Sequence, residues 1–485
     1  MVPVLLILIP LLTGLGLFWV KSDSTARTLA FLASLASLCV MLAAFSVWDN
    51  PEYLSYNHVW LGTLNSRFHF ALDGMSKLLC LLTVFCFPLI IYSTWNNEYA
   101  DSNRYHGLLM LSQAGLLGVF LSMDALLFYF FWELALIPLF FLCSRWGGER
   151  RIQVTIKFFV YTFLGSLFML IGIIMLYNKA GGSFAYADFL KLKMGPGEEL
   201  GIFLMLLLAF AIKMPLFPFH TWQPDTYETA PTGVTMVLSA IMAKMGVFGL
   251  LRWLAPVVPS ATYQYGDNIA TLAVIGMLYA SFIAIQQNDL KRLVAYSSIA
   301  HIGLMIVAVF APSYGGIQGV MFQMFSHGIN ILGMWIVVNE IENKFGTRKI
   351  SDLGGIAQKA PALTLFALII VLANIALPLT NAFVGEFMMF GGVMGSAATK
   401  FGVAYAVAGG FTIILGAVYS LRMVQHVFYG ETNQLTAKAT DISLNVQVVL
   451  VIIVVAILVT GIYPRPMLAL TEDLSHLILN RMNLK

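Results

Sequence analysis

The sequence predicts an all-α polytopic membrane protein with about 14 transmembrane helices. Hydrophobic residues make up 59% of the chain and charged residues only 11%, whereas about a quarter of the residues of a soluble domain are charged. Apolar runs of roughly 20 residues, the length that crosses a bilayer as a helix, recur from one end of the chain to the other. Two of these runs are interrupted in their middle by proline and polar residues. A chain of this composition lacks the polar surface that a soluble fold requires.

The helices follow from cutting the apolar pattern at charges, prolines and glycines. Their approximate extents are 2–20, 28–48, 75–95, 106–123, 125–144, 153–177, 200–222, 228–252, 268–286, 292–311, 316–341, 361–395, 402–428 and 445–463. The first has no basic start and no small-residue cleavage site, so we expect a membrane helix and not a cleaved signal. The seventh and twelfth are expected to be discontinuous, because Pro215, Pro218 and Pro378 remove backbone donors within them.

The two interrupted helices share a short motif. Ile212-Lys213-Met214-Pro215-Leu216 in the seventh resembles Ile375-Ala376-Leu377-Pro378-Leu379 in the twelfth, 163 residues further on. An offset of five helices reverses the direction of crossing, so the pattern predicts inverted repeats, each with one broken helix. Loops that follow odd-numbered helices hold more lysine and arginine than the opposite loops. This bias predicts that both termini lie outside the cytoplasm.

Several classes of site are disfavoured. The net charge of +3 without a basic stripe gives no indication of a nucleic-acid partner. Cys39, Cys80, Cys86 and Cys143 lie in apolar segments without a C-x-x-C pair, so we expect packing residues and not a disulfide, zinc or iron–sulfur framework. Two glycine clusters, at 315–319 and 391–395, follow no strand. They are expected to allow close helix packing and not to bind phosphate.

Four charged residues fall deep within apolar helices: Glu133, Lys213, Lys244 and Glu386. A charge at the bilayer centre costs about 2.5–3.5 kcal/mol on insertion scales, so each is expected to be paired or functional. Burial disfavours a charged amine, whereas a nearby carboxylate favours it, so moving one partner changes proton affinity. We therefore predict that these groups load and release protons.

Three histidines complete the set of deep titratable residues. His220, His301 and His327 lie in the half of the chain that holds both broken helices, and each is either a packing residue or part of a proton relay. Metal binding is not expected, because they lie on separate helices without H-x-x-x-H spacing or a nearby cysteine. The charges at 289–292 are interpreted as a solvated turn at the membrane edge.

Longer motifs surround these residues. They are Trp132-Glu133 with Pro138, Lys213-x-Pro215-x-x-Pro218-x-His220-x-Trp222-x-Pro224-Asp225, Ala230-Pro231-Thr232, Lys291-Arg292-Leu293-Val294-Ala295-Tyr296-Ser297-Ser298 with His301, and Gln323-Met324-Phe325-Ser326-His327-Gly328. Together they resemble the antiporter-like membrane subunits of respiratory complex I and of multisubunit cation/proton antiporters. The resemblance covers about residues 70–430. One departure is Tyr227, where the family commonly has histidine.

The resemblance implies a core of 14 helices with inverted five-helix repeats. The implied divisions are helices 1–3 in 1–105, the first repeat (helices 4–8) in 106–252, the second (helices 9–13) in 268–428, and helix 14 with the tail in 445–485. It also implies that Glu133 and Lys213 form a controlling ion pair and that Lys244 is the central relay. Glu386 would be the distal proton carrier, with His301 and His327 between, whereas His220 is only a possible linking residue.

Glu386 matches the M-type branch of complex I, because related large subunits usually place lysine there. The resemblance thus implies a proton-translocating subunit of NADH:quinone oxidoreductase in a bacterial inner membrane, with no redox centre of its own. FMN, iron–sulfur clusters and quinone are expected in other subunits, and L-type and N-type antiporter-like chains as partners. The alternatives are a subunit of a sodium/proton antiporter, a ferredoxin-fed relative of complex I, and a passive scaffold between other membrane subunits.

Overall fold

Helices of 16 or more residues dominate the N-terminal half of the protein. The computed structural model describes residues 1–45, 50–438 and 440–482. The first helices are α1 Val2–Leu17, α2 Asp23–Ala44, the short α3 Pro51–Leu54, α4 Gly74–Ser93, α5 Ser102–Leu121, α6 Ala125–Trp146, α7 Arg151–Lys179 and the short α8 Tyr186–Phe189. The predicted end of the second helix, at 46–48, lies outside the described residues.

The second half continues in the same way. Its helices are α9 Pro196–Lys213, α10 Trp222–Thr229, α11 Thr232–Leu254, α12 Pro259–Gln286, α13 Leu290–Phe310, α14 Tyr314–Phe345, α15 Pro361–Asn374, α16 Asn381–Met394, α17 Gly402–Val427, α18 Leu444–Ile462, α19 Arg465–Ala469 and α20 Glu472–Arg481. The end of the predicted tail, at 483–485, lies outside the described residues.

The predicted fold class, an all-α membrane protein, is confirmed. Within the described residues, 10 helices are long and apolar enough to cross a membrane, and two shorter apolar helices, α1 and α15, accompany them. The number 14 and the inverted relation between the repeats remain predictions. Both expected interruptions are present, because α9 ends at Lys213 and α15 ends at Asn374, each followed by non-helical residues.

One element was not predicted from the sequence. An antiparallel hairpin of β1 Ser55–Leu61 and β2 Ser66–Ala71 precedes α4. The buried Asp124 joins it to α6: its carboxylate accepts hydrogen bonds from the Ser66 hydroxyl (3.1 Å) and the Arg67 amide (3.0 Å). The same carboxylate caps α6 by accepting from the amides of Leu126 and Leu127 at 3.1 Å.

Three helices form the centre of the bundle. The apolar windows of α11 and α14 are entirely buried, and that of α13 is 94% buried, whereas only 28% of the window of α18 is buried. The central helices carry Lys244, His327 and His301 respectively. Lys244 and His327 are therefore surrounded by protein, whereas the His301 side chain is 14% exposed.

Gly316, Gly319 and Gly392 of the two predicted clusters permit close helix contacts, whereas a Cβ on Gly315 or Gly391 would meet nothing within 4 Å. Gly316 on α14 and Gly392 on α16 face each other so closely that a Cβ on Gly392 would lie 2.5 Å from the Gly316 backbone. Gly319 and Gly385 continue this contact along the same two helices. The cysteine prediction holds for three residues and is wrong for Cys39, which is exposed on α2 because it points away from the bundle.

Candidate functional site

Lys244 is held by an irregular turn of its own helix. In an α-helix the Ser239 carbonyl would accept from the Ala243 amide, but that amide donates to the Leu238 carbonyl at 3.0 Å. This π-turn, at 238–242, leaves the Ser239 carbonyl for another donor. The Lys244 ammonium is that donor, with Nζ 2.6 Å from the Ser239 oxygen. The side chain is 1% exposed, so its nearest polar partners come from the protein.

From Lys244, polar contacts lead to Glu386. Lys244 Nζ lies 2.8 Å from Nδ1 of His327, which is the second partner of the ammonium. The rings of His327 and His301 have their centres 5.5 Å apart. His301 Nδ1 then lies 3.1 Å from Oε1 of Glu386, which is 2% exposed. Four residues predicted separately from the sequence therefore form one chain across α11, α14, α13 and α16, here called the Lys244–Glu386 chain.

Gln323 is a member of this site that the sequence analysis named only within a motif and not as a site residue. Its Nε2 donates to Glu386 Oε1 at 3.3 Å. Gly385, beside Glu386, makes the contact possible, because a Cβ there would lie 2.5 Å from Gln323 Oε1. A glutamine in an apolar helix gives little signal by itself. Its spacing of four residues from His327, which places both on one helix face, was the available indication.

Glu133 and Lys213 lie towards the Lys244 end of the Lys244–Glu386 chain, but they do not contact each other. Lys213 is 1% exposed, and its Nζ lies 5.3 Å from the centre of the Trp132 ring. Within the described part of the chain, neither Lys213 Nζ nor Glu133 Oε1 has a hydrogen-bond partner. The two charges still interact electrostatically. The two charges of the ion pair implied by the family resemblance are thus neighbours without a contact within 4 Å, and their controlling role remains a prediction.

The break after Lys213 is closed by a specific set of hydrogen bonds. The Leu216 amide donates to the Ala211 carbonyl at 2.8 Å, one residue further back than in an α-helix. The Ile212 carbonyl accepts from the Trp222 indole at 2.9 Å. These partners replace the donors that the prolines remove, so the carbonyls at the broken end of α9 remain hydrogen-bonded.

The second break repeats this pattern at a spacing of 161 residues. The Leu377 amide donates to the Leu372 carbonyl at 3.0 Å, and the Ala373 carbonyl accepts from the Asn330 amide group at 3.3 Å. The hydrogen bonds of the two breaks are 161 residues apart, whereas the proline motifs are 163 residues apart. The backbone hydrogen bonds, and not the prolines, therefore decide which residues of the two breaks correspond. Asn374 is therefore the positional equivalent of Lys213.

His220 is not brought into the Lys244–Glu386 chain. It is buried in the segment between α9 and α10, where its ring stacks on Phe217 with centres 5.6 Å apart and meets Tyr279 edge-on at 5.2 Å. These neighbours are those of a packing residue. Any role in proton transfer remains a prediction for this histidine.

A cluster of ion pairs lies at one edge of the bundle, beside a cavity of about 580 Å³. Arg348 contacts Glu228 at 3.2 Å, Asp289 at 2.5 Å and Glu342 at 3.3 Å, and Arg292 contacts Glu228 at 2.8 Å. We call this set of five residues the Arg348 cluster. It joins the loops and helix ends at 225–232, 287–292 and 342–349.

The predicted solvated turn at 289–292 is wrong for Lys291. This lysine is 3% exposed, and its Nζ lies 2.7 Å from Glu342, because α13 turns it towards α14. Next to the cluster, burial by itself raises the pKa of the Asp225 carboxyl. Hydrogen bonds from Lys157 and Arg292, together with their charges, nevertheless hold that pKa below its usual value. The membrane edge is thus a paired network and not a set of separate solvated charges.

The donor set suits protons better than metals. In the described residues, no group of three or more histidine, cysteine or acidic side chains is arranged to hold a metal ion. The chain from Lys244 to Glu386 places four titratable side chains one after another, with two contacts and one gap between the histidine rings. A proton could be passed along it through small movements or a bridging water.

The sequence is similar to a known protein family and to individual relatives within it. The family model described as NADH:quinone oxidoreductase/Mrp antiporter, TM, matches residues 122–412. NADH-quinone oxidoreductase subunit M of Rickettsia prowazekii is 35% identical over 416 residues, 85% of this chain and 84% of the relative. The F(420)H(2) dehydrogenase subunit M of Methanosarcina mazei is 35% identical over 498 residues, 99% of both chains.

A solved structure has the same fold over nearly the whole length. A chain of respiratory complex I from Thermus thermophilus with bound NADH has a TM-score of 0.90 and 28% identity. The match covers 99% of this chain and 100% of the other.

Proposed function

The chain belongs to the NADH:quinone oxidoreductase/Mrp antiporter family of membrane subunits, and on that premise we propose that it translocates protons as the M-type membrane subunit of a NADH:quinone oxidoreductase. The M-type name of the Rickettsia relative and the fold of the Thermus complex support this assignment. Glu386, where other large subunits usually carry lysine, supports the M-type branch.

The Lys244–Glu386 chain is the observation that carries the proposal. Its outer members lie on different helices, and the histidines between them are within contact or near-contact distance. Three buried titratable groups and the partly buried His301 in line are costly to keep in a membrane unless they are used. A passive scaffold would need only apolar packing at these positions.

In the proposed mechanism Lys213 and Glu133 control proton movement along the Lys244–Glu386 chain from its Lys244 end. They lie close enough to interact but not in contact, so a small movement of the α9 end changes how strongly the carboxylate stabilises the lysine charge. Lys213 is tied to α11, because Gly246 packs against the neighbouring Met214. Redox chemistry elsewhere in the complex would drive this movement and send the proton from Lys244 towards Glu386.

In this proposal the redox groups belong to other subunits of the complex. FMN, iron–sulfur clusters and quinone would be bound by other subunits, and L-type and N-type antiporter-like chains would be the membrane neighbours. The complex would lie in a bacterial inner membrane, with both termini of this chain outside the cytoplasm. The electron donor is the open alternative, because the Methanosarcina relative has the same identity and a different donor in its name. Flavin and iron–sulfur proteins that co-purify with the chain would distinguish these redox complexes from a sodium/proton antiporter.

Lys244→Met tests the proposal in the assembled complex reconstituted into proteoliposomes. Methionine is unbranched and only one atom shorter than lysine but has no titratable group, so we expect NADH-driven proton uptake to fall by tenfold or more. Quinone reduction without a membrane gradient provides the second measurement. The matched control is Lys359→Met, which removes an exposed lysine. Undiminished proton uptake by Lys244→Met in an intact complex would refute the relay.

A further inference from the structure

Tyr419 on α17 lies between two cavities. The outer one, of about 540 Å³, reaches the edge of the bundle, where exposed Asn288, Ser351 and His426 line it. The inner one, of about 20 Å³, is lined by both His301 and Glu386. Tyr419 lines both cavities and is itself 2% exposed. Its side chain is therefore a wall between a polar cavity and the carboxyl at the end of the Lys244–Glu386 chain.

The inner cavity has the chemistry of a water site. Glu386 Oε1 is taken by His301 and Gln323, whereas Glu386 Oε2 and His301 Nε2 have no hydrogen-bond partner within the described residues. A volume of about 20 Å³ is enough for one water molecule, and such waters bind where buried polar atoms would otherwise be unsatisfied. One water there would reach the carboxyl from the side that Tyr419 closes.

A hydrogen bond holds the tyrosine in the closing position. Its hydroxyl donates to Ser297 Oγ at 3.0 Å, and the same oxygen accepts from Asn374 Nδ2 at 3.3 Å. Asn374 is the last residue of α15, directly before the second helix break, and is the positional equivalent of Lys213. The position of Tyr419 is therefore linked to the broken helix through one serine.

We propose that Tyr419 is a gate that controls proton access from the outer cavity to Glu386, and that movement at the second helix break releases it. This inference rests on the proposed function. When Asn374 moves and the bond to Ser297 is lost, the phenol ring turns and water joins the two cavities. A proton from the outer cavity then passes to the Glu386 carboxylate through that water, which accepts one proton as it gives one up, and the tyrosine keeps its own. Access would be from the membrane face that carries the Arg348 cluster, because the outer cavity and the cavity beside that cluster both reach the loop at 287–292.

The gate differs from a packing tyrosine in what its removal does. Tyr419→Phe removes the hydrogen bond but keeps the ring, whereas Tyr419→Ala removes the wall. The assembled complex is reconstituted into proteoliposomes, and passive proton conductance is measured after an imposed pH gradient with no electron donor present. We expect conductance to rise several-fold in Tyr419→Ala and about twofold in Tyr419→Phe.

Two further variants test where the proton passes. Adding Glu386→Gln to Tyr419→Ala should return the conductance to the wild-type value, because the proposed route passes through that carboxyl. Tyr405→Phe is the matched control: it removes a buried hydroxyl from the same helix, one that contacts Asp267 and Thr271 and lines neither cavity. We expect it to leave the conductance unchanged.

The outcomes separate the gate from the proposed function. Wild-type conductance in both Tyr419 variants, or a leak that persists with Glu386→Gln, would overturn the gate. If Tyr419→Ala does not assemble, the comparison of Tyr419→Phe with Tyr405→Phe decides alone. Since no electron donor is used, these results do not depend on the redox coupling tested with Lys244→Met.

Discussion

Lys244 depends on the geometry of one turn. Its ammonium uses a carbonyl that is available only because the π-turn moves the Ala243 amide to Leu238. Tyr227 contacts the same turn: its hydroxyl donates to the Leu238 carbonyl at 3.1 Å, and its ring is fully buried. The tyrosine that replaces the family's usual histidine therefore supports the lysine without touching it.

Tyr227→Phe should slow proton pumping while the complex still assembles. A buried hydrogen bond contributes about 1 kcal/mol, so a loosened turn should reduce the NADH-driven pumping rate by about fivefold. Stopped-flow measurement of proton uptake by proteoliposomes checks this, with Tyr265→Phe, a half-buried tyrosine on α12, as the control. Equal rates in both variants would show that the hydroxyl does not position Lys244.

At the scale of single residues, charge and depth could be predicted but contacts could not. Glu386, Lys244 and the two histidines stand out because a charged or titratable group deep in an apolar helix is costly in any fold. Gln323 and the Ser239 carbonyl became visible only in three dimensions. Their roles depend on the register between α14 and α16 and on a change of backbone hydrogen bonding, and neither leaves a pattern in side-chain polarity.

α9 and α11 pack closely where the first helix break lies next to the segment that carries Lys244. A Cβ on Gly246 would lie 2.6 Å from Met214 Cβ and 2.8 Å from the Phe210 carbonyl oxygen. Because a backbone atom cannot give way as a side-chain tip can, α11 would have to move. Lys213 and Lys244 lie within two residues of this contact on their respective helices.

Gly246→Ala should destabilise the protein by about 1–3 kcal/mol, the usual cost of overpacking a filled interior. Thermal unfolding of the purified complex, followed through this subunit, measures the effect. Gly391→Ala on α16 is the control, since a Cβ there meets nothing within 4 Å. The packing argument fails if the two variants unfold at the same temperature.

The discontinuous helices show what a proline pattern can and cannot predict. Prolines within long apolar runs correctly indicated where α9 and α15 end. The equivalence between the two breaks was off by two residues, because it is set by which carbonyls find donors. Those donors, the Trp222 indole and the Asn330 amide, come from a following helix and from a separate helix, respectively.

On the scale of the whole molecule, the Arg348 cluster joins segments that are distant in sequence. The excess of basic residues on this side was visible in the loops, and the sequence could therefore indicate a charged membrane edge. Pairing was not predictable, because it requires the ends of α10, α13 and α14 to meet. The same limit applies to the β1–β2 hairpin, which depends on Asp124 from a later helix.

Arg348→Gln should weaken this edge, because three carboxylates share one guanidinium and glutamine cannot replace its charge. The side chain is 27% exposed, so solvent screens part of each interaction and we expect a loss of about 1–2 kcal/mol.

The wild-type complex in detergent should lose stability as NaCl is raised from 0.05 to 0.5 M, values chosen to shorten the screening length by about threefold. Arg348→Gln should show a smaller dependence on salt. Lys349→Gln, which changes the exposed neighbour, should behave as wild type. A variant at Arg348 with wild-type stability and salt dependence would mean that the cluster is held by its hydrogen-bonded loops and not by its charges.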